Sequence, residues 1–141
     1  TGLRGEYFNN VTLAGTPVLT RTEAVNFNWG TTRPATAVTA DNYAVRWTGT
    51  VEASATGSFR FQTNSDDGVR VWINGTQVIN NWTNHSATLN TTGNLSLTAN
   101  QRYTITVEYY ERTGSAVMQL RWRLPGTTSY VAVPANRLYA P

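Results

Sequence analysis

The 141-residue chain contains no cysteine, no lysine, one histidine and one methionine. Without cysteine there is no disulfide framework, no thiolate zinc site and no cysteine nucleophile, and the redox compartment stays open. Charge is scarce too: 13% of residues are charged, against a usual share of about 25%. All 11 basic residues are arginine, set against 3 Asp and 5 Glu, so the net charge is +3 and the pI of 9.6 reflects missing acid rather than clustered base. No apolar run approaches the roughly 20 residues of a membrane span or forms a signal-peptide core. Membrane insertion is therefore not expected, and any export signal is expected to lie outside this sequence.

Uncharged polar residues fill the gap. There are 24 Thr, 14 Asn and 7 Ser, a composition that favours strands and turns over helices. The arginines are spread from Arg4 to Arg137, mostly one at a time at alternating strand positions. That pattern predicts solvated sheet faces, whereas a nucleic-acid surface gathers its bases into a patch or stripe, so no nucleic-acid partner is expected.

Period-two alternation marks strands with one buried face. Val45 and Trp47 alternate with Arg46 and Thr48, and Phe59, Phe61 and Thr63 with Arg60 and Gln62. Val69, Val71 and Ile73 form a third stripe, and Tyr103, Ile105, Val107 and Tyr109 a fourth. Met118, Leu120, Trp122 and Leu124 form a fifth. Asn74-Gly75 between two such runs predicts a two-residue hairpin, since both central residues accept positive φ. Between Gly15 and Asn42 the alternation weakens, and the segment reads as a long surface excursion anchored by Phe27 and Trp29. The expected fold is all-β, a single domain over residues 1–141: an antiparallel two-sheet β-sandwich of jelly-roll type with no sustained helix.

Catalytic chemistry is poorly supplied. His85 stands in a polar Asn-His-Ser loop, and phosphate loops, metalloprotease pairs and nucleophile elbows are absent. Glycoside hydrolysis needs two carboxylates flanking a bond, and no pair among the eight stands out. Asp66 and Asp67 follow the strand Ser58–Asn64. In a regular strand they would face opposite sides, but in a loop both can meet one hard cation, which then needs oxygens from a second loop. An ordinary Asp-Gly turn is the alternative reading. Glu111-Arg112-Thr113-Gly114-Ser115 offers a second loop with a carboxylate and free carbonyls; its alternative is a simple Gly-closed hairpin. Trp82 and Tyr110 either stack on sugar faces or pack in the core. Six Asn-X-Ser/Thr matches are expected by chance in a chain this rich in Asn, Ser and Thr.

Several segments together resemble a known family. Gly2-Leu3-Arg4-Gly5-Glu6-Tyr7-Phe8, Val45-Arg46-Trp47-Thr48-Gly49, Phe59-Arg60-Phe61 through Asp66-Asp67-Gly68 and Asn74-Gly75 to Trp82, and Tyr103 to Trp122 are similar, in this order, to the family named after the amino-terminal domain of anthrax protective antigen. Its members are β-sandwiches found in bacterial glycosidases, other secreted proteins and yeast flocculation and epithelial adhesins. In the sugar-binding members two aspartates joined by a cis peptide bond hold a Ca²⁺ that sugar hydroxyls complete. The resemblance maps these onto Asp66 and Asp67. It maps the second-loop ligands onto Glu111, Thr113 and Ser115, with Glu111 standing where the adhesins often carry Asn.

The expected function is a non-catalytic, Ca²⁺-dependent carbohydrate-binding module of a larger secreted or cell-surface bacterial protein. Asp66, Asp67, Trp82, Tyr110 and Arg112 are the expected sugar contacts, and terminal sugars with vicinal hydroxyls, together with other domains of the parent protein, the expected partners. The alternative is a structural accessory or spacer domain of a secreted glycosidase or adhesin with no glycan of its own; an enzyme using a carboxylate pair is a third reading.

Overall fold

Alternating apolar residues become strands wherever their buried rows meet across two sheets. The computed structural model describes residues 1–141. Its strands are β1 (Leu3–Phe8), β2 (Leu19–Glu23), β3 (Asn26–Gly30), β4 (Tyr43–Glu52), β5 (Gly57–Asp66), β6 (Val69–Ile73), β7 (Thr76–Asn81), β8 (Thr88–Thr91), β9 (Leu95–Leu97), β10 (Arg102–Glu111), β11 (Ala116–Arg123), β12 (Val131–Ala132) and β13 (Leu138–Tyr139). The only helical turn is a 3-10 turn at Ala135–Arg137. A seven-stranded sheet runs β2-β1-β4-β10-β6-β7 with β13 on β4, and a six-stranded sheet runs β12-β11-β5-β8 with β3 on β11 and β9 on β5. Every pairing is antiparallel. The all-β two-sheet expectation holds.

The inner rows close over one another as the alternation requires. Phe59, Phe61, Val71, Ile105, Val107, Leu120 and Trp122 are buried, and Trp47, Tyr7, Tyr43 and Tyr109 fill the same core. Asn74 and Gly75 both take positive φ (55° and 81°) at the β6–β7 hairpin. Gly49 is required where β4 changes partner. Residues up to Thr48 pair with β1, while Thr50 and Val51 pair with β13. At Gly49 φ is 150°, and an added Cβ would overlap the Tyr139 carbonyl oxygen.

Two expectations need correction. The segment from Gly15 to Asn42 is not wholly an excursion, since it contributes β2 to one sheet and β3 to the other. Polar and charged residues on β2 (Thr20, Arg21, Thr22, Glu23) mask its alternation, because Glu23 is tied inward by Tyr7, Arg21 and the Trp47 Nε1 hydrogen. Phe27 and Trp29 do anchor the segment, stacked at 4.6 Å and packed on the core. Nor do most arginines of the larger sheet stand singly, Arg4 on β1 being the exception. Arg46 and Arg70 flank Glu108 at 2.8 and 2.6 Å, and Arg102 and Arg137 share Glu52.

Candidate functional site

β5 and β6 belong to different sheets, so the chain between Asp66 and Val69 must cross from one to the other. The crossing lands beside the end of β10. There the Asp67 N–H donates to the Tyr110 carbonyl and the Tyr110 N–H to the Gly68 carbonyl, both at 3.1 Å. Tyr109, the next residue back on β10, donates its hydroxyl to the Asp66 carbonyl at 2.7 Å. Gly68 is needed here because the Tyr110 ring occupies the space a side chain would take. The Asp66–Asp67 peptide bond is cis, as the resemblance implies.

This geometry brings Asp66, Asp67 and Glu111 together. One carboxylate oxygen from each lies within 4.8 Å of the others. Asp67 is held on both oxygens by backbone donors: the His85 N–H reaches Oδ1 at 3.1 Å and the Arg112 N–H reaches Oδ2 at 2.8 Å. Glu111 is 0% exposed, and no N–H or hydroxyl donor meets either of its oxygens. Burial, then a proton shared with the Asp67 carboxylate and its charge, and then the Asp66 and Asp41 carboxylates, push its acid up to about 9. Burial and the Asp67 charge likewise raise Asp66 above the usual carboxylate range.

Three hard oxygen donors, with no nitrogen or sulfur among them, suit a hard divalent cation. The Glu111 oxygens, which no N–H or hydroxyl donor meets, make the fit specific, because a buried ionised carboxylate without a donor or a cation is costly. An ordinary Asp-Gly turn would not require a third carboxylate to be buried against it.

The remaining expected residues fare differently. Thr113 and Ser115 lie exposed in the turn between β10 and β11, within the loop that carries Arg112. Arg112 approaches the pair through its backbone, and its side chain is exposed. Tyr110 is not a sugar-stacking surface: it is 6% exposed, its ring lies over Gly68, and its hydroxyl donates to Asn84 at 2.7 Å. Trp82 is half-buried, with the Tyr110 ring edge-on at 4.8 Å and the Arg70 guanidinium 3.8 Å from its ring centre. One of its faces is therefore taken, and it combines the packing and exposed roles. Sequence reasoning missed Asp41, whose carboxylate accepts the Gly114 N–H at 3.3 Å, and the backbone of His85; neither carries a motif, since only chain pairing brings them to the loops.

A β-sandwich with an acidic two-loop site at one end is the class that fold and geometry define. Residues 1–136 match the PA14 domain, and the chain belongs to the PA14 domain family. It is 34% identical over 139 residues to the anti-sigma-I factor RsgI3 of Acetivibrio thermocellus, covering 99% of this chain and 21% of that protein. A solved anti-sigma factor domain-containing protein is 35% identical with a TM-score of 0.93, covering 99% of this chain and 48% of that one. The chain thus spans about a fifth and about half of these relatives' lengths. The PA14 sugar-binding domain of an RTX adhesin shares the fold, with a TM-score of 0.81 at 19% identity over 99% of this chain and 98% of that one.

Proposed function

We propose that the chain is a non-catalytic carbohydrate-binding module whose sugar contact depends on Ca²⁺, acting as one unit within a larger secreted or cell-surface protein. The observation that carries this reading is Glu111, a fully buried carboxyl that no N–H or hydroxyl donor meets, beside two further carboxylates. Asp66, Asp67 and Glu111, with loop oxygens of Thr113 and Ser115, would hold Ca²⁺, and the bound ion offers open positions to adjacent sugar hydroxyls.

The chain's own residues prepare that contact. Backbone donors from His85 and Arg112 fix the Asp67 carboxylate, and Tyr109 fixes the Asp66 carbonyl, so the donor oxygens are oriented in advance. Tyr110 supports Trp82 from the side, leaving Trp82 and the exposed Arg112 to meet a sugar ring. A site of this kind selects two adjacent hydroxyls, so terminal monosaccharides bind weakly and repetition in the parent protein supplies avidity. The family, and a shared fold with a sugar-binding adhesin domain, support the reading. A structural accessory domain with no glycan of its own is the second reading, favoured by relatives above 30% identity being named as anti-sigma factors.

Thermal unfolding of metal-stripped protein, with millimolar Ca²⁺ or chelator, paired with a glycan array under both conditions, tests it. A cation that binds the folded state alone contributes about 2.7 kcal/mol at one hundred times its Kd, which raises Tm by several degrees. A Tm shift with a blank array favours the accessory domain, an unchanged Tm refutes the calcium site, and turnover of a glycoside would identify an enzyme.

A further inference from the structure

Most strand arginines of the seven-stranded sheet meet an acid, Arg4 on β1 being exposed without one, and those of the six-stranded sheet do not. On the outer face of the seven-stranded sheet Arg46, Arg70 and Arg102 are each paired with a glutamate. The outer face of the six-stranded sheet is different. Alternation sends half-buried Arg60 and Asn64 outward from β5, with Gln62 beneath them at 8% exposure, and half-buried Gln119, Arg121 and Arg123 outward from β11. The register sets Arg60 directly opposite Arg123, and Arg121 opposite Gln62. Residues so opposed stand about 5 Å apart at Cβ, where like charges repel.

None of these three guanidiniums has a carboxylate partner. Their neighbours are amides and one ring. Arg60 Nε donates to Asn94 Oδ1 at 2.8 Å, Arg121 donates to Gln119 Oε1 at 2.7 Å and to Gln62 Oε1 at 3.4 Å, and Arg123 lies 5.9 Å from the Tyr130 ring centre. The one acidic residue pointing outward from β5 or β11 is Asp66, at the opposite end of β5, roughly 20 Å from Arg60.

We propose that this arginine-and-amide face is a second binding site, for a polysaccharide that carries carboxylate groups on its sugar rings. A guanidinium fork matches a carboxylate through two parallel N–H···O bonds, and carboxamides both donate to and accept from ring hydroxyls. Guanidiniums interleaved with amides therefore complement a ring that bears one carboxylate among several hydroxyls. A protein partner would call for an apolar centre with aromatic anchors, while the facing rows of β5 and β11 are polar from Arg60 to Asn64. A nucleic acid would call for a longer basic stripe to follow successive phosphates. The site lies at the far end of β5 from Asp66 and needs no cation, so it stands apart from the acidic loops.

Affinity electrophoresis of the whole chain in gels containing alginate tests the proposal. Chelator is present throughout, so divalent cations neither gel the polymer nor load the acidic loops. The protein is retarded by alginate, less so as salt rises, and passes freely through the propylene glycol ester, whose carboxylates are masked. Arg60→Gln/Arg123→Gln loses at least tenfold in affinity while its Tm stays equal to or above that of the parent, because two opposed charges are gone. Should that pair fail to unfold cooperatively, Arg60→Gln alone is read in its place. Arg4→Gln/Arg33→Gln, which removes the same charge from exposed positions elsewhere, stays within about twofold. No retardation by alginate, equal retardation by the ester, full affinity in the Arg60 variants, an equal loss in the Arg4/Arg33 control, or tighter binding of a single-stranded oligonucleotide would each overturn the proposal.

Discussion

Substituting Glu111 by glutamine should change stability in opposite senses with and without calcium. In the metal-free protein at pH 7 the Glu111 carboxyl is held protonated by burial and by its acidic neighbours, with an acid strength of about 9 against an ordinary 4.5. Its unfolded form is ionised at that pH. Folding therefore takes up a proton across the interval from pH 4.5 to 7, and at 1.36 kcal/mol per unit the cost is roughly 3 kcal/mol. Relaxation of the site and water entry around the buried carboxyl reduce this to on the order of 1 to 2 kcal/mol. Glutamine carries no such cost, and its amide can donate to the Asp66 or Asp67 carboxylates. In chelator, Glu111→Gln should raise Tm by about 3 to 6 °C, at about 3 °C per kcal/mol for a chain of this size. In calcium the variant lacks one charged ligand, a loss of about 1.5 to 3 kcal/mol, so its Kd for Ca²⁺ weakens by roughly ten- to a hundredfold and its calcium-induced rise in Tm shrinks. Differential scanning calorimetry of both proteins in both conditions reads the result. An equal loss of Tm in chelator and in calcium would make Glu111 a purely structural carboxyl and refute the reasoning.

The same group sets a pH dependence. Its folded pKa lies above its unfolded one, so its contribution to the stability of the metal-free protein is fullest below about 4.5 and is lost as pH rises toward about 9. In saturating calcium, melting curves across that range should flatten, because the ion neutralises the carboxylate. Asp67→Asn should abolish calcium-dependent glycan binding on an array. It should also lower Tm by a few degrees, since both Asp67 oxygens accept backbone N–H groups and an amide keeps only one acceptor. Cooperative unfolding should survive in that variant, because the core of Phe59, Phe61, Leu120 and Trp122 is untouched. Gly49→Ala should cost about 2 to 4 kcal/mol, read as a Tm drop near 10 °C, because the new Cβ displaces β13 from β4. An unaltered Tm there would mean that the β13 pairing contributes nothing to stability.

Read by itself, the sequence determined β4, β5, β6, β10 and β11, whose buried rows are made of large apolar residues. Alternation is a local property, so Val45 to Thr48, Phe59 to Thr63 and Tyr103 to Tyr110 could be placed in strands without reference to any partner. The Asn74-Gly75 hairpin was equally local, because positive φ at two successive residues is written in their side chains. Asp66, Asp67 and Glu111 were identifiable as candidates from adjacency, loop position and family resemblance.

Tertiary structure decided what alternation leaves open: which face meets which neighbour. β2 was obscured because Arg21 and Glu23 interrupt its apolar pattern, and only the inward ties of Glu23 to Tyr7 and Trp47 make that position core-compatible; β3 is five residues long with only Phe27 and Trp29 on its inner row, and its place is set by pairing with β11. The burial of Glu111 away from any N–H or hydroxyl donor depends on β10 ending beside the crossing from β5 to β6, a contact between residues far apart in the chain. Tyr110 reads as an exposed aromatic until the Gly68 backbone is laid against it. The pairing of Arg46, Arg70 and Arg102 with glutamates, and the lack of an acid beside Arg60, Arg121 and Arg123, follow from strand register, since a shift of one residue would send each of those side chains to the opposite side of its sheet.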